Sequence, residues 1–449
     1  MKKIIAAAFA LCLLCACGEK NNLPKPTQAQ LEWQDMEMNM FCHFGPNTFT
    51  GNEWGDGTEA EDLFNPSDLD CRQWAATAKA AGFKGIIITA KHHDGFCLWP
   101  SPVSNHTVAQ SSWRDGKGDV LAELSAACRE YGLKFGVYIS PWDRNDPHYG
   151  TPEYNDVFVK TLESVHGGPY GPIFEQWFDG ANGEGPNGKK QVYDWPLFNA
   201  TVFKYNPQAI IFGDGGPGCR WVGNEEGHAG RTCWGMMNAD EVKPGENPRG
   251  TEYLNEGDPE GTHWVPAETD VSIRPGWFWR ESENDMVKSV DELLKIYYES
   301  VGRNSLLLLN VPPDVTGRIN AVDSVRLMEF RAALDRIFSE DLAEGAKLRR
   351  KGGCWTLTMA EPVTFNRVVL EEEIASGQTI AAFTIEVLGE DGNWTGIASE
   401  TTIGHKRIVP VPDVTACGVR IKVGETIAPG CSIRKPKLYY DGVFKGEMI

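Results

Sequence analysis

The sequence predicts a (β/α)8-like barrel of the TIM type, followed by an antiparallel β-sandwich. Three observations predict this fold. Between residues 38 and 338 of the 449-residue chain, short apolar segments alternate with amphipathic ones, as strands and helices do when a parallel sheet is covered on both faces. No glycine-rich phosphate-binding loop follows the first strand, which disfavours a nucleotide-binding open sheet. After Glu344 the pattern changes to short strands separated by turns, without helical segments.

The barrel is expected over residues 31–342, and six of its strands are visible. The predicted strands cover residues 38–44, 84–90, 134–140, 173–178, 209–212 and 305–311. The predicted helices cover residues 71–81, 120–131, 155–165, 197–205, 290–302 and 323–338. Two further units belong in the loop-rich region 213–285, where the periodicity does not locate them.

Residues 343–449 form the predicted β-sandwich. Its strands cover residues 354–359, 363–370, 382–388, 407–411, 418–423 and 436–440, with Gly, Pro, Asn and Asp turns between them. The spacing leaves little room for a linker, so we expect the two domains to pack together. The sandwich resembles galactose-binding-like modules but carries no convincing set of sugar-contacting residues, so we expect a structural role.

The first 30 residues are expected to lie outside the fold. A short basic start precedes an apolar stretch over residues 4–17, which suits a secretory signal and is too short to span a bilayer. The stretch ends in LCACG, which resembles a bacterial lipoprotein box with Cys17 as the lipid-bearing residue. We therefore expect a lipoprotein signal peptide over 1–17 and a polar tether over 18–30. The mature protein would be an exported, periplasmic or outer-membrane lipoprotein, anchored to a membrane through Cys17.

Composition excludes several classes of function. The chain has 43 basic and 62 acidic residues, a net charge of −19 that disfavours binding to nucleic acid and suits a neutral substrate. His92 and His93 are adjacent on an extended segment, so we expect their side chains to point to opposite sides, and no HExxH motif is present. The cysteines show no paired spacing. We therefore expect no metal, no cofactor and no disulfide framework, and the sequence does not predict an oligomeric state.

Polar and aromatic side chains follow four of the predicted strands. In such barrels the catalytic groups lie just past the carboxyl ends of the strands, where the loops converge on one rim. The candidates in chain order are His43, Glu53, Trp54, His92, His93, Tyr138, Trp142 and Asp179. Asp179 is the hardest to explain structurally, because a carboxylate between Phe178 and Gly180 costs desolvation free energy unless it has partners or a catalytic role.

A second carboxylate is needed if the site hydrolyses a glycosidic bond. The candidates in the loops that follow are Glu225, Glu226, Glu256 and Glu268, and sequence spacing alone does not choose among them. Five tryptophans surround them, and broad indole faces suit the apolar faces of sugar rings. The combination of His, Trp and carboxylate residues favours hydrolysis of a neutral sugar.

The candidates lie in seven longer motifs, which are FCHFGPNTF (41–49), EWGDG (53–57), KHHDGFCLWPS (91–101), WFDGAN (177–182), WVGNEEG (221–227), DVSIRPGWFW (270–279) and LLLNVPPDVTGRI (307–319). These motifs resemble those of a known family, the α-L-fucosidases of glycoside hydrolase family 29, and the resemblance extends from about residue 31 to 338. It implies a retaining mechanism with Asp179 as the nucleophile and Glu225 as the acid/base. It also implies a fucose pocket lined by His43, Glu53, Trp54, His92, His93 and Tyr138. Further candidate substrate contacts from the same regions are Trp142, Arg274 and Trp277.

The WFDGAN and WVGNEEG motifs look most like the branch of this family that acts on α-1,3/1,4-linked fucose in branched, Lewis-type glycans. The substrate would then be a fucosylated oligosaccharide, with the Trp-rich region 213–285 stacking a second sugar branch. The alternatives are a broad α-L-fucosidase that also takes α-1,2-linked and aryl fucosides, a barrel hydrolase for α-galactosides, and a non-catalytic, lipid-anchored glycan-binding protein. Paired carboxylates favour an enzyme over a binding protein.

Overall fold

Eight parallel strands close into a barrel. The computed structural model describes residues 23–444 and 446–447. The first ten strands are β1 Met38–Cys42, β2 Gly85–Lys91, β3 Lys134–Ile139, β4 Ile173–Trp177, β5 Ile210–Gly213, β6 Cys219–Trp221, β7 Met236–Met237, β8 His263–Trp264, β9 Ala267–Ser272 and β10 Ser305–Asn310. The order around the barrel is β1-β10-β9-β6-β5-β4-β3-β2, and β7 pairs with β8 in a separate two-stranded sheet. The two strands that the sequence did not locate are therefore β6 and β9.

Helices cover most of the barrel. They are α1 Gln28–Gln34, α2 Pro46–Thr50, α3 Cys71–Ala81, α4 Val120–Tyr131, α5 Glu153–His166, α6 Trp195–Tyr205, α7 Thr251–Glu256, α8 Val290–Glu299 and α9 Ala321–Phe338. Aspartate side chains cap the amino ends of α3, α4 and α6 by accepting a backbone hydrogen bond, which stabilises the first turn. Between β5 and β6 the chain passes directly through residues 214–218, so no helix covers that side.

The helix α1 closes the amino end of the barrel. Thr27 and Gln30 form a capping box that starts it. The buried Trp33 donates from Nε1 to Glu175 Oε2 at 2.8 Å. Gln30 Nε2 donates to the carbonyl oxygens of Gly218 and Trp264 at 2.8 and 2.9 Å. The tether predicted over 18–30 is thus too long, because residues 28–30 belong to this helix.

The C-terminal domain is an antiparallel sheet folded around its own core. Its strands are β11 Lys347–Lys351, β12 Cys354–Leu370, β13 Ile380–Leu388, β14 Trp394–Glu400, β15 Arg407–Thr426 and β16 Lys437–Tyr439. Their order is β11-β12-β15-β13-β14, with β16 beside β12. The two long strands shift register between Thr358 and Val363, and the inward faces enclose residues such as Trp355 and Phe365. The predicted fold class, barrel then antiparallel sandwich, is confirmed.

Polar contacts join the sandwich to the barrel. Glu400 accepts hydrogen bonds from Arg231 and Arg407, and His405 Nε2 lies 2.8 Å from Asp35 Oδ1 beside α1. Asn304, after α8, donates to Gln378 Oε1 at 3.3 Å. Among the residues that the structure describes, no helix is both long enough and apolar enough to cross a membrane.

Candidate active site

Asp179 lies at the carboxyl end of β4, at the centre of the predicted site. Tyr138, on β3, donates from its hydroxyl to Asp179 Oδ2 at 2.9 Å. The backbone N–H of Ala181 donates to Oδ1 at 2.7 Å, and His93 Nε2 lies 3.6 Å from Oδ2. The side chain remains 26% exposed, so one carboxylate is held in a fixed orientation yet is open to a ligand.

Three histidines surround this carboxylate as neutral imidazoles. Burial lowers the pKa of His43 to about 3 and that of His93 to about 4, and it lowers the pKa of His92 well below its usual range. His43 Nδ1 lies 2.9 Å from Asn310 Oδ1, an acceptor, so this nitrogen carries the proton and Nε2 can accept a hydrogen bond. Such rings bind hydroxyl groups by hydrogen bonds rather than by charge.

The expectation that His92 and His93 point to opposite sides is wrong. Their ring centroids lie 4.2 Å apart, and both rings contact Tyr138. The alternation of side chains holds only along a regular strand. Here β2 ends at Lys91, and the N–H of Gly95 bonds to the carbonyl of His92 in a turn that brings both rings to the same rim.

Glu225 and Glu226, although adjacent in the chain, have different environments in the structure. Glu225 Oε2 accepts a hydrogen bond from Trp277 Nε1 at 3.2 Å. Burial and the charges of Asp179 and Glu53 raise the pKa of Glu225, which favours its protonated form. The Glu226 side chain is 79% exposed and lies 3.8 Å from His228. Of these two neighbours, only Glu225 is held against Trp277 at the predicted pocket, close enough for the charge of Asp179 to raise its pKa.

The other two candidate carboxylates lie elsewhere. Glu268 is completely buried inside the barrel, where Oε1 accepts from Trp177 Nε1 at 3.1 Å. It lies beside Glu175 and Cys219, in a cluster whose possible ligand atoms are within 4.8 Å of one another. Burial and the neighbouring Glu175 raise the pKa of Glu268 well above its usual range. Glu256 is exposed at the end of α7.

A loop after β9 supports the mouth of the site. Glu53 accepts from the backbone N–H of Trp277 and forms an ion pair with Arg280. Both carboxylate oxygens of Glu53 are therefore engaged in holding the loop that carries Trp277. The Trp277 ring lies 5.0 Å from that of His43, so Glu53 and Trp277 both lie beside the predicted pocket.

Two more predicted aromatic residues lie beside His93. The exposed Trp54 packs edge-on against His93 and Trp142, with centroid distances of 5.9 and 5.8 Å. Trp142 donates from Nε1 to the carbonyl of Glu184 at 3.1 Å, which fixes its ring. The structure thus brings His43, Glu53, Trp54, His92, His93, Tyr138, Trp142, Asp179, Glu225 and Trp277 to one rim.

Arg274 is the exception, and its prediction as a substrate contact is corrected. Its side chain has 0% exposure and pairs with the equally buried Asp323, Nε to Oδ2 at 3.0 Å. It also donates to Asn284 Oδ1 and the carbonyl of Arg280. The guanidinium is therefore enclosed by protein groups and does not reach the pocket. Asp323 lies 49 residues later in the chain, so this pairing could not be inferred from the local motif. Cys17 lies outside the described residues.

Asp270 is a further acidic residue that the sequence did not single out. It lies on β9 and is almost completely buried, and Trp221 Nε1 donates to its Oδ1 at 2.9 Å. Burial and the charges of Glu225 and Asp179 raise its pKa well above the usual range, which favours the protonated form. The available signal was the pair of acidic residues, Glu268 and Asp270, separated by one residue in the segment AETDVS (267–272), just before the predicted rim.

Comparison with known proteins identifies the family. The family model described as Alpha-L-fucosidase matches residues 19–336. The chain belongs to this family. Alpha-L-fucosidase 1 of Arabidopsis thaliana is 43% identical over 420 residues, which cover 86% of this chain and 82% of that protein. A glycoside hydrolase 29 family member from an unknown rumen bacterium has a TM-score of 0.88 at 43% identity, covering 95% of this chain and 79% of that one.

A second solved structure is that of a Ruminococcus gnavus glycoside hydrolase family 29 fucosidase in complex with fucose. Its TM-score is 0.82 at 31% identity, and the match covers 96% of this chain and 97% of that one. These findings confirm the prediction of an enzyme, a glycoside hydrolase of the α-L-fucosidase family. The alternatives of an α-galactosidase and of a non-catalytic glycan-binding protein are set aside for this fucosidase.

Proposed function

We propose that this fucosidase is a retaining exo-enzyme that removes terminal α-L-fucose by way of a covalent fucosyl-enzyme. The observation that carries this proposal is the pairing of Asp179 with Glu225, which have different environments. Asp179 is oriented by Tyr138 and Ala181, whereas the pKa of Glu225 is raised by its surroundings. Two carboxyl groups with separate roles are what retaining glycoside hydrolysis requires.

Each carboxyl group has a defined step. Asp179 attacks the anomeric carbon and forms the C–O bond of the fucosyl-enzyme, while Glu225 donates its proton to the departing glycosidic oxygen. Formation of the ester removes the negative charge of Asp179. The pKa of Glu225 then falls, because that charge was one of the causes that raised it. Glu225 can therefore take a proton from water in the second step, and the water attacks the anomeric carbon to release fucose and free Asp179.

The nucleophile is tested with Asp179→Asn. This variant keeps the size of the side chain and should lower turnover by about 10⁴-fold or more, since no other group can form the covalent bond. The proton NMR spectrum of the first product should show α-fucose in the wild-type enzyme. Near-normal activity of a folded Asp179→Asn protein, or β-fucose as first product, would overturn the retaining assignment.

The preferred linkage is proposed to be α-1,3/1,4 in branched glycans. It is supported by the WVGNEEG motif and by the half-buried Trp277, which lies beside Glu225 at the edge of the pocket where a second branch would extend. The expected result is a higher kcat/KM on a Lewis-type trisaccharide than on 2′-fucosyllactose, with a smaller difference in Trp277→Ala. Equal kcat/KM values on the two glycans in the wild-type enzyme would favour a broad α-L-fucosidase instead.

We also propose that the protein is exported and anchored through lipid on Cys17. The support is the sequence of residues 1–17, which lie outside the described part of the chain. Cys17→Ser should release the enzyme from membranes while its kcat/KM on an aryl fucoside stays unchanged. Mass spectrometry of a processed protein without acyl groups would contradict the anchor.

A further inference from the structure

A groove runs along the outside of the barrel where a helix is missing. The chain crosses from β5 to β6 through residues 214–218 without forming a helix. The helix α6 therefore lacks a neighbour on that side, and a groove of about 1110 Å³ lies between it and the segment 239–246. Its volume is in the range of sites that bind sizeable ligands.

Two aromatic side chains and an amide between them form the face that α6 presents to this groove. Trp195, Asn199 and Phe203 all line the groove, and their spacing of four residues places them on one face of the helix. They extend over about 12 Å of helix length. The Asn199 side chain is half-buried and makes no hydrogen bond to any residue of the described chain. An amide between two aromatic rings can bind hydroxyl groups while the rings stack on apolar faces.

Equal numbers of basic and acidic residues line the groove. Two basic residues, Lys25 and Lys243, and two acidic residues, Asp240 and Glu246, lie along it. The lining is thus close to neutral, although the whole chain carries a net charge of −19. The balance of charge disfavours an anionic or cationic ligand and fits a neutral one.

A backbone contact separates the groove from the catalytic pocket. Gly180 packs so closely on Gly245 that a Cβ added to Gly180 would lie 2.4 Å from the Gly245 nitrogen. Both glycines line the groove. The carboxylate of the preceding residue, Asp179, contacts Tyr138 and His93 in the catalytic pocket. A ligand in the groove would therefore lie behind the wall that carries the nucleophile.

We propose that this groove is a second carbohydrate-binding site that takes a neutral oligosaccharide. Trp195 and Phe203 stack on sugar rings, and Asn199 binds hydroxyl groups between them. The ligand is a separate neutral glycan, because the contact of Gly180 with Gly245 lies between the groove and the catalytic pocket. The site does not depend on the linkage preference or on the retaining mechanism proposed above.

Binding of lacto-N-tetraose, a neutral tetrasaccharide without fucose, tests the proposal. The full-length enzyme is titrated by NMR with excess free fucose present, so that the catalytic pocket is occupied. We expect binding that survives the added fucose and weakens by about tenfold in Phe203→Ala, the loss of one stacking contact. Asn199→Ala should weaken binding as well. Leu197→Ala is the matched control, because Leu197 lies on the same helix with the same 37% exposure and does not line the groove.

The possible outcomes separate the alternatives. Activity of Phe203→Ala on an aryl fucoside should equal that of the wild type, which shows that the variant is folded and that the catalytic pocket is intact. Undetectable binding of lacto-N-tetraose at millimolar concentration, binding abolished by fucose, or equal affinity in Phe203→Ala would overturn the proposal. So would a change in oligomeric mass in Phe203→Ala without a change in glycan affinity, since the groove would then be an interface between two copies.

Discussion

At the scale of single residues, the site depends on how each carboxyl group is partnered. Asp179 is bonded by a phenol and a backbone N–H, Glu225 by an indole, and Asp270 by another indole. Neutral donors orient these groups without adding positive charge close to them. Burial and the charge of Asp179 therefore raise the pKa values of Glu225 and Asp270, which favours a proton on Glu225, where the chemistry needs an acid.

The role of Glu225 can be tested with a matched pair of variants. Glu225→Gln should lower kcat/KM by about 10²- to 10⁴-fold on a sugar leaving group and much less on an activated aryl fucoside, which needs little protonation. Because the acid form is active and its pKa is raised, wild-type kcat/KM on the oligosaccharide should fall as the pH rises through that pKa. Glu226→Gln, next to it and exposed, should behave as the wild type. Equal losses in the two variants would reassign the acid/base.

Asp270 gives a second prediction at this scale. Its surroundings raise the pKa of Asp270 and so disfavour the charged form. Asp270→Asn removes the charge and keeps an acceptor for Trp221, so it should retain activity and stability at pH 7. Asp270→Leu leaves the buried Trp221 N–H without its partner and should lower the free energy of unfolding by about 1–3 kcal/mol. Urea denaturation measures both. Equal destabilisation by Asn and Leu would mean that Asp270 is ionised.

At the scale of elements, most helices and strands could be predicted from the sequence because their ends carry local signals. The helix α4, for example, begins after the cap Asp119 and ends at Gly132, and its predicted bounds are those observed. β6 could not be located, because it has three residues and contains a charged one, Arg220. That guanidinium donates hydrogen bonds to backbone carbonyls far along the chain, those of Leu254 and Val265, which no local pattern reveals.

The dependence on distant contacts also explains which parts of the candidate site could be predicted from the sequence. The strand ends placed Asp179 and the histidines correctly because parallel strands deliver their carboxyl ends to one rim. The orientation of a side chain within a loop is decided by distant partners, so Arg274 and the choice between Glu225 and Glu226 required the structure. The functional role of each residue still rests on the experiments described above.

The buried pair of Arg274 and Asp323 ties the loop after β9 to the first turn of α9. Asp323→Ala would leave the guanidinium buried and unpaired, and should lower the free energy of unfolding by about 3–5 kcal/mol. The kcat/KM on an aryl fucoside should stay near the wild-type value at low temperature, because Arg274 has no access to the pocket. A loss below 1 kcal/mol, measured by chemical denaturation, would contradict a paired charge.

At the scale of the whole molecule, the barrel interior contains an acidic pair that links stability to pH. Burial raises the pKa of Glu175 from 4.5 to about 7. Between these two values the folded protein holds a proton that the unfolded chain has released, so the contribution of Glu175 to stability falls as the pH rises from about 4.5 to about 7. The neighbouring Glu268 shifts in the same direction.

Glu175→Gln should remove this dependence. The amide keeps an acceptor for Trp33, so the free energy of unfolding of the variant, relative to wild type, should rise between pH 5 and pH 7.5. Urea denaturation at a series of pH values measures the difference, with the exposed Glu32→Gln on α1 as the control. A difference that does not change with pH would show that Glu175 does not titrate in this range.

The closure of the barrel floor by α1 has a consequence for how the chain is made. This helix leaves the ribosome among the first residues, yet the hydrogen-bond partners of Trp33 and Gln30 follow 142, 188 and 234 residues later. The indole of Trp33 therefore has no hydrogen-bond partner until β4 has been synthesised, and the amide of Gln30 lacks its two acceptors until Gly218 and Trp264 have been added. Contacts of such long sequence separation form late and slowly, so α1, which precedes every barrel strand in the chain, is among the last elements to dock.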